Sequence, residues 1–354
     1  MHTPDFSRLE RLPEPLLAWY DTHRRHLPWR EDPAPYHVWL SEIMLQQTRV
    51  EAALPYYERF LREVPDIPSL AALPEERLLK LWEGLGYYSR ARNLQKAAQL
   101  LVERYGGALP ADYDAVRALP GVGDYTAGAI CSIAFGLPTP AVDGNVVRVV
   151  SRLAGDEGDS TRPAVRRDYR ERLAALYPAG RAGDFTQALM ELGALLCLPN
   201  GRPRCGDCPA AAFCAGCASG HPEALPVKPP KKPRRQERRR IWLLLSPAGV
   251  LLRRRPARGL LAGLWELPGG PPEAPFPLPE LEPAGWIPAG EGRHIFSHVE
   301  WQMEAVLGTL EDAPPLPAGW RWADRAALDG EVALPSAFAP FRERVHSELA
   351  ARGL

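Results

Sequence analysis

The chain has 354 residues, 45% of them hydrophobic, and its 43 Lys or Arg balance 43 Asp or Glu. That length allows two or more domains with sizeable cores, and the even charge balance excludes a globally basic nucleic-acid binder, so any affinity for DNA must come from local arrangement. No apolar stretch is long enough to span a membrane, and Met1 to Arg11 is polar and charged, unlike a signal peptide; a soluble, cytoplasmic protein with no membrane partner is expected.

From Pro13 to Gly216 amphipathic runs alternate with Pro and Gly breaks, and β-branched alternation is absent. The pattern predicts helices over Pro15 to His23, Tyr36 to Arg49, Leu54 to Val64, Glu75 to Leu81, Ser89 to Tyr105 and Tyr113 to Leu119, hence an all-α region. In the second of these, Glu42 has Val38, Trp39 and Leu45 as its three- and four-residue neighbours, which puts it at the border of the apolar stripe. A partly desolvated carboxyl there favours its protonated form and suits a general acid. A solvated or salt-bridged helix residue is the competing reading.

Leu119-Pro120-Gly121-Val122-Gly123 then forms a tight turn before the run Asp124 to Ile130. Without Cβ atoms the glycines let backbone N–H groups at the next helix N-terminus approach a phosphate, which makes Gly121, Val122 and Gly123 a candidate DNA-backbone clamp. Asp143 stands before a helical run with apolar Val146, Val147, Val150 and Leu153. Taken alone it reads first as an N-cap, and a role as a carboxylate held ionised by the helix dipole is compatible with that.

Five of the six cysteines lie between Cys197 and Cys217, a distribution that points to metal or cluster binding over disulfides, while Cys131 reads as core. Cys197, Cys205, Cys208 and Cys214 are separated by seven, two and five residues, and Cys217 is left over. Pairing Cys205/Cys208 with Cys214/Cys217 on zinc is the alternative, although five residues between the pairs is short for a zinc ribbon.

Composition changes at His221. Pro226 to Arg240 holds eight Lys or Arg against one Glu, with four prolines, and predicts an extended basic linker over 221–238 that is a solvated tether or a track along phosphates. Beyond it Ile241 to Leu245 and Val250 to Arg254 flank a Ser-Pro-Ala-Gly turn, His294 to Leu310 is a long β-rich run, and Pro271 to Pro283 is a proline-rich loop. The domains expected are therefore 1–220, all-α, and 239–354, α+β. The tail beyond Pro335 carries no motif.

The hairpin followed by Asp143 resembles the helix-hairpin-helix DNA glycosylase superfamily. With Leu40-Ser41-Glu42-Ile43-Met44-Leu45-Gln46-Gln47-Thr48 and Gly84-Leu85-Gly86-Tyr87-Tyr88-Ser89-Arg90-Ala91-Arg92-Asn93-Leu94 in the same order, the chain is similar to MutY adenine DNA glycosylases from about Trp19 to Leu310. The resemblance implies a multidomain protein, an all-α glycosylase domain with an iron–sulfur loop joined to an α+β Nudix-like domain, the two enclosing a duplex. It implies a monomer that removes adenine opposite 8-oxoguanine or guanine. Glu42 would protonate adenine at N7 and later activate water, Asp143 would stabilise or capture the sugar cation, and Asn145 would orient them. Trp29, Arg30, Leu45 and Glu191 would form the base pocket, and Gln47 and Tyr87 the wedge that fills the gap left by the extruded base.

Relatives that also cut the strand carry a Schiff-base lysine where this chain has Tyr125, and the stretch 1–227 has only Lys80 and Lys96. A monofunctional enzyme is expected, with Tyr125 closing the pocket or simply packing. The resemblance also implies a [4Fe–4S] cluster on Cys197, Cys205, Cys208 and Cys214, although the first gap is one residue longer than the family's. Arg258-Gly259-Leu260-Leu261-Ala262-Gly263-Leu264-Trp265-Glu266-Leu267-Pro268 looks like the Nudix-like domain, but the following Pro-Gly-Gly-Pro-Pro-Glu cannot continue as a metal-binding helix, so recognition of the lesion, not hydrolysis, is implied. Phe296-Ser297-His298 matches the family's loop that reads 8-oxoguanine, where Ser and His offer hydrogen bonds and Phe a wedge. A thymine mismatch glycosylase of the same superfamily and a non-catalytic iron–sulfur DNA-binding protein are the rival readings.

Overall fold

The computed structural model describes residues 3–230 and 233–354, which form two compact units: 3–72 with 93–230, and 73–92 with 233–354. Met1 and His2 of the polar N-terminal stretch, and Lys231 and Lys232 of the expected linker, lie outside the described residues. Among the described residues no helix is long and apolar enough to cross a membrane.

Helices run Pro13–His23 (α1), Pro28–Glu31 (α2), Pro35–Leu45 (α3), Val50–Glu63 (α4), Ile67–Ala72 (α5), Glu75–Leu81 (α6), Ser89–Tyr105 (α7), Tyr113–Arg117 (α8), Asp124–Phe135 (α9), Gly144–Ala154 (α10), Pro163–Ala174 (α11), Ala182–Leu195 (α12) and Ala215–Ala218 (α13). Proline at the first helical position opens α1, α2, α3 and α11, where its missing N–H costs nothing. The apolar face of α10 (Val146, Val147, Val150, Leu153) packs with Leu16 and Tyr20 of α1 and Phe185, Leu189 and Leu192 of α12 into one core of the first unit. Cys131 is fully buried, as expected of a core thiol. Close approach of α10 and α12 requires Gly193, because a Cβ there would meet the Asn145 Cβ at 2.5 Å.

The second unit is a seven-stranded sheet: Arg235–Ser246 (β1), Gly249–Arg254 (β2), Trp265–Glu266 (β3), Gly269–Gly270 (β4), Ile287–Ile295 (β5), Val299–Thr309 (β6) and Trp320–Ala323 (β7). Its main path is β3-β2-β1-β6-β5, with β1 and β6 parallel and β5 and β6 antiparallel. Side chains of β1 alternate between faces. Ile241, Leu243 and Leu245 pack with Phe341, Val345 and Leu349 of the helix Ala339–Ala351 (α14), while Trp242 and Leu244 pack with Phe276, Leu278 and Leu281. The proline-rich loop is thus the cover of one sheet face, and its only helical turn is the 3-10 segment Pro279–Leu281.

Two expectations need correction and one, the β-rich run, is refined. The linker is not free over 221–238: the Val227 carbonyl accepts from Ser160 N and Oγ (3.1 and 2.8 Å), the Leu225 carbonyl accepts from Arg152 Nε (2.9 Å), and Arg235 to Arg240 already pair with Val299 to Glu304 in the β1–β6 ladder. The β-rich run His294 to Leu310 is two strands turned at Phe296–His298. The first domain does not hold all of 1–220, since Leu73–Arg92 groups with the sheet; there Lys80 Nζ donates to the Leu328 and Val332 carbonyls (2.7 and 3.1 Å), and Glu83 accepts from the Leu334 N–H (3.0 Å).

Gly193→Ala is expected to lower stability by about 1–3 kcal/mol, since a methyl has no room between α10 and α12. Gly144→Ala, where nothing lies within 4 Å of a built Cβ, should stay within about 1 kcal/mol of the parent. Urea midpoints of the two variants check this, and equal midpoints would remove the close-packing argument.

Candidate active site

The carboxyl of Glu42 is buried on α3, 6% exposed, deeper than its place at the edge of an apolar stripe suggested. Its Oε2 accepts a hydrogen bond from Tyr125 Oη at 2.6 Å. Burial pushes the Glu42 pKa up from its ordinary 4.5 to about 7; the Tyr125 hydrogen bond and Arg30 oppose that rise, and the Asp143 charge adds to it. Tyr125 is itself held far above the ordinary phenol range by burial and by the two carboxylates, so its proton stays on and is donated. Tyr125 sits in the second residue of α9, directly after the hairpin, which is how the turn places it.

Asp143 caps α10: Oδ1 accepts from Val146 N (2.8 Å) and Oδ2 from Asn145 Nδ2 (2.8 Å). The cap is as expected, but its electrostatic consequence differs. Burial raises the Asp143 pKa, outweighing the hydrogen bonds from Val146 and Asn145 and the charge of Arg148 that pull it down. Asn145 is oriented in turn by Arg148, whose Nη2 donates to Asn145 Oδ1 (2.8 Å) and to the Gly193 carbonyl (2.7 Å), and whose Nε donates to the Cys197 carbonyl (2.6 Å).

These groups line one cavity of about 390 Å³ together with Arg25, Trp29, Arg30, Leu45 and Glu191. Every residue expected in the catalytic centre or base pocket is therefore in one place. Glu191, 1% exposed, departs from the role of a free acceptor. Its oxygens accept from Arg25 N, Nε and Nη2 (2.9, 2.8 and 2.7 Å) and from Arg30 Nη1 and Nη2 (3.1 and 2.9 Å), which fills the lone pairs of a carboxylate. Burial would raise its pKa, but these bonds win and bring it down to about 2. Glu191 anchors two guanidinium groups on the cavity wall. Arg25 was not singled out from sequence, and nothing local marks it, because its partner lies 166 positions away.

The hairpin turns at Gly121, which has φ +78° and would bring a Cβ to 2.8 Å from Asn93 Cβ. Gly123 is the N-cap of α9 without a side-chain cap, and Asp124 is engaged by Arg117 and Arg170, so the first amides of α9 remain for an anion. Beside it a second cavity of about 210 Å³ is lined by Tyr125, Val142, Arg166, Arg167 and Arg170.

Gln47 and Tyr87, the two wedge candidates, are non-glycine residues with positive φ, +60° and +48°. The first ends α3 at Leu45, short of the expected Arg49, and Gln46 Nε2 ties the turn to Thr126 Oγ1 at 3.3 Å. Tyr87 is 51% exposed and Tyr88 is buried. Arg90 Nη2 donates to the Leu85 and Gly86 carbonyls (2.9 and 3.1 Å) and Trp82 Nε1 to Gly86 (3.1 Å), which pins the loop that presents Tyr87.

Five thiols, those of Cys197, Cys205, Cys208, Cys214 and Cys217, line one cavity of about 30 Å³ with Arg152. Arg152 Nη1 donates to Cys197 Sγ at 3.2 Å. Among the described residues no three His, Cys, Asp or Glu side chains converge closely enough to share one metal ion. Thiols spread around one cavity are the donor type that a polynuclear iron–sulfur cluster takes.

In the second unit Ser297 and His298 are exposed on the β5–β6 turn. Phe296 is not presented as a wedge. It folds back between His294 and Trp301, with ring centroids at 4.5 and 4.9 Å, and its N–H closes the turn onto the Val299 carbonyl at 2.8 Å.

Comparison with known proteins extends this picture. The family described as "HhH-GPD superfamily base excision DNA repair protein" matches residues 40–175, and a NUDIX domain family matches 240–344. The human protein named "Adenine DNA glycosylase" is 37% identical over 377 residues, spanning 87% of this chain and 69% of its own length. Its namesake in Buchnera aphidicola (strain Bp) is 40% identical over 56% of each chain. Among solved structures, a thermostable thymine-DNA glycosylase is similar with TM-score 0.55 and 29% identity over 60% of this chain and 98% of that one. A non-covalent endonuclease III–DNA complex shares the fold with TM-score 0.52 at 24% identity, over 62% of this chain and 99% of that one.

A carboxyl whose pKa is higher folded than unfolded binds more protons when folded, so its stabilising contribution is complete below its unfolded pKa and is lost as pH rises through the folded one. For Glu42 that window runs from 4.5 to about 7, or about 3 kcal/mol at about 1.4 kcal/mol per unit. Glu42→Gln should match the parent near pH 4 and exceed its stability by up to about 3 kcal/mol near pH 8. Urea titrations at both values check this; curves that stay parallel would mean Glu42 is not held protonated.

Proposed function

Since the chain belongs to the adenine DNA glycosylase family, base excision repair enzymes that hydrolyse the bond between base and sugar, we propose that it acts on adenine paired with 8-oxoguanine, and more weakly with guanine, as a monofunctional enzyme. The observation that supports the chemistry is the Glu42–Tyr125–Asp143 arrangement in one cavity. A carboxyl with a pKa near 7 is protonated in a large fraction of molecules at neutral pH and has the proton that adenine N7 needs. When that proton is transferred, the C1′–N9 bond breaks with its electron pair leaving on adenine, and positive charge develops on the sugar opposite Asp143. Water then adds at C1′ and returns its proton to Glu42. Asn145 and Val146 N–H hold the Asp143 oxygens for that charge.

Among the described residues no lysine lines the cavity, and Tyr125 stands where strand-cutting relatives carry the Schiff-base lysine, which supports the monofunctional reading. The base pocket of Trp29, Arg30, Leu45 and the Glu191 anchor, the α9 amides with Gly121, Val122 and Gly123, and Gln47 and Tyr87 supply base capture, phosphate contact and gap filling. Cys197, Cys205, Cys208 and Cys214 would hold a [4Fe–4S] cluster, which ties the loop 197–214 to α10 through Arg148 and Arg152. Ser297 and His298 would read the 8-oxoguanine edge from the β5–β6 turn.

Single-turnover release of adenine from A opposite 8-oxoguanine, with T opposite G as control, tests the reading. Breaks that appear only after alkali are expected. Glu42→Gln should lose release by at least about a hundredfold, the scale of lost acid catalysis, and keep duplex binding by gel shift. Release at T instead would transfer the chain to the thymine branch. Ser297→Ala with His298→Ala should narrow the rate difference between A opposite 8-oxoguanine and A opposite guanine by several-fold, a loss of about 1–3 kcal/mol, while leaving release opposite guanine unchanged. An unaltered ratio removes the turn from lesion reading.

A further inference from the structure

Lys80 is one of two lysines in the stretch 1–227, and its ammonium group is fully engaged. Nζ donates to the Leu328 carbonyl (2.7 Å), the Val332 carbonyl (3.1 Å) and Glu83 Oε2 (2.6 Å), which uses all three of its protons. Glu83 is held as closely: Oε1 accepts from the Leu334 N–H (3.0 Å) and from Arg342 Nη1 of α14 (3.3 Å). The Lys80 and Glu83 side chains are 9% and 13% exposed, so this pair lies inside the second unit, where removing one member strands the other.

Glu83 is followed directly by the loop Gly84–Tyr88, and a second attachment lies just beyond it. Arg92, in the first turn of α7, donates from Nη1 to the Ala262 carbonyl (2.9 Å) and from Nε to Glu75 Oε1 at the start of α6 (2.7 Å). Ala262 belongs to the stretch Arg258 to Pro268, which no metal-binding helix follows. Between the two attachments the Arg90 guanidinium lies over the Trp82 ring (5.4 Å) and the Tyr87 ring (5.7 Å), while both residues hold carbonyls of the loop. Tyr87 is thus carried by the unit that bears Ser297 and His298, not by the one whose residues line the 390 Å³ cavity.

Building on the wedge role given to Tyr87 above, we propose that Lys80, Glu83 and Arg92 are positioning residues for that wedge. They fix its loop to the second unit at both ends, so the wedge and the Ser297–His298 turn meet the duplex as parts of one body. The stretch Arg258 to Pro268 contributes a backbone carbonyl to this, the one that receives Arg92. A wedge freed at either end has to be ordered at each encounter while the duplex restacks against it, and extrusion of the base slows.

Stopped-flow fluorescence of 2-aminopurine opposite 8-oxoguanine, which brightens as the base leaves the stack, tests this on the full chain. Tyr87→Ala should slow extrusion, and Lys80→Met and Arg92→Gln should each slow it by about fivefold. Adding Tyr87→Ala to either should slow it no further than Tyr87→Ala alone, because the attachments act only through the wedge. A parental rate in Arg92→Gln, or losses that multiply in the double variants, overturns the positioning role and leaves the wedge in place. A parental rate in Tyr87→Ala overturns the wedge reading and the positioning role with it. If far-ultraviolet circular dichroism shows that Lys80→Met does not fold, Arg92→Gln and its double variant decide, since the Arg92–Glu75 pair is exposed. A parent that releases no adenine overturns the underlying reading, and this one with it, before any variant is made.

Discussion

The Arg148 guanidinium is the interaction on which the first unit depends. It is buried and its pKa is lowered by desolvation, which the nearby Asp143 charge opposes; it donates to the Gly193 and Cys197 carbonyls and the Asn145 side-chain oxygen. A buried charge leaves such acceptors little freedom, because losing any one costs a large part of its desolvation. Three elements are therefore fixed to one group: the α10 N-terminus with Asp143, the C-terminal turn of α12, and the entry to the cysteine loop. Arg152, one turn further on, repeats the arrangement with the Cys197 sulfur and the Leu198 and Leu225 carbonyls. Helix α10 thus has Asp143 at one end and the support of the cysteine loop along its length, so damage to the loop reaches Asp143 through two arginines without any change of fold.

The two carboxylates of the cavity differ in what their surroundings offer. Glu42 has one donor, a tyrosine that keeps its proton, and is otherwise desolvated. Asp143 has the amide of Val146, the amide of Asn145 and the charge of Arg148. Burial raises both, but the second is far better supplied with groups that favour the anion, which fits the roles proposed above, the acid for Glu42 and the cation-facing group for Asp143. Glu191 shows the opposite limit in the same cavity: two guanidinium groups overwhelm burial and hold it permanently ionised. Its work is to fix Arg25 and Arg30.

Much of this was legible in the residues, and the parts that were not share a cause. Helices such as Glu75–Leu81 and Ser89–Tyr105 follow from local periodicity, and Asp143 announces itself as a cap. Arg25, Arg148 and Arg90 carry no comparable signal, because each acts through partners that only the folded chain brings near. The charged segment Arg235–Arg240 resembles a tether in composition but is half of a strand, since its parallel partner β6 lies more than sixty positions away and supplies the backbone pairing that its side chains do not advertise. Phe296 matched a reading loop by type, yet an aromatic next to His294 and Trp301 gains more from burial than from exposure. Leu73–Arg92 has a helical pattern and could be placed by that pattern only as helix, not with the sheet it joins.

Gln47 and Tyr87 add an argument from strain. A left-handed backbone costs a non-glycine residue on the order of 1 kcal/mol or more and persists only where the surroundings over-determine it. At each position that over-determination is visible: Gln46 is tied to Thr126 before Gln47, and Arg90 and Trp82 hold the carbonyls before Tyr87. Both side chains are left exposed, although a tyrosine with half its surface in water forgoes a good part of its burial energy. In each loop the projection is already ordered, which is what the proposed wedge role of Gln47 and of Tyr87 requires. Filling the space of an extruded base must compete with restacking of the duplex, and a projection already ordered loses little entropy in doing so. Preorganisation is therefore the property that the backbone of these two loops maintains at the expense of stability.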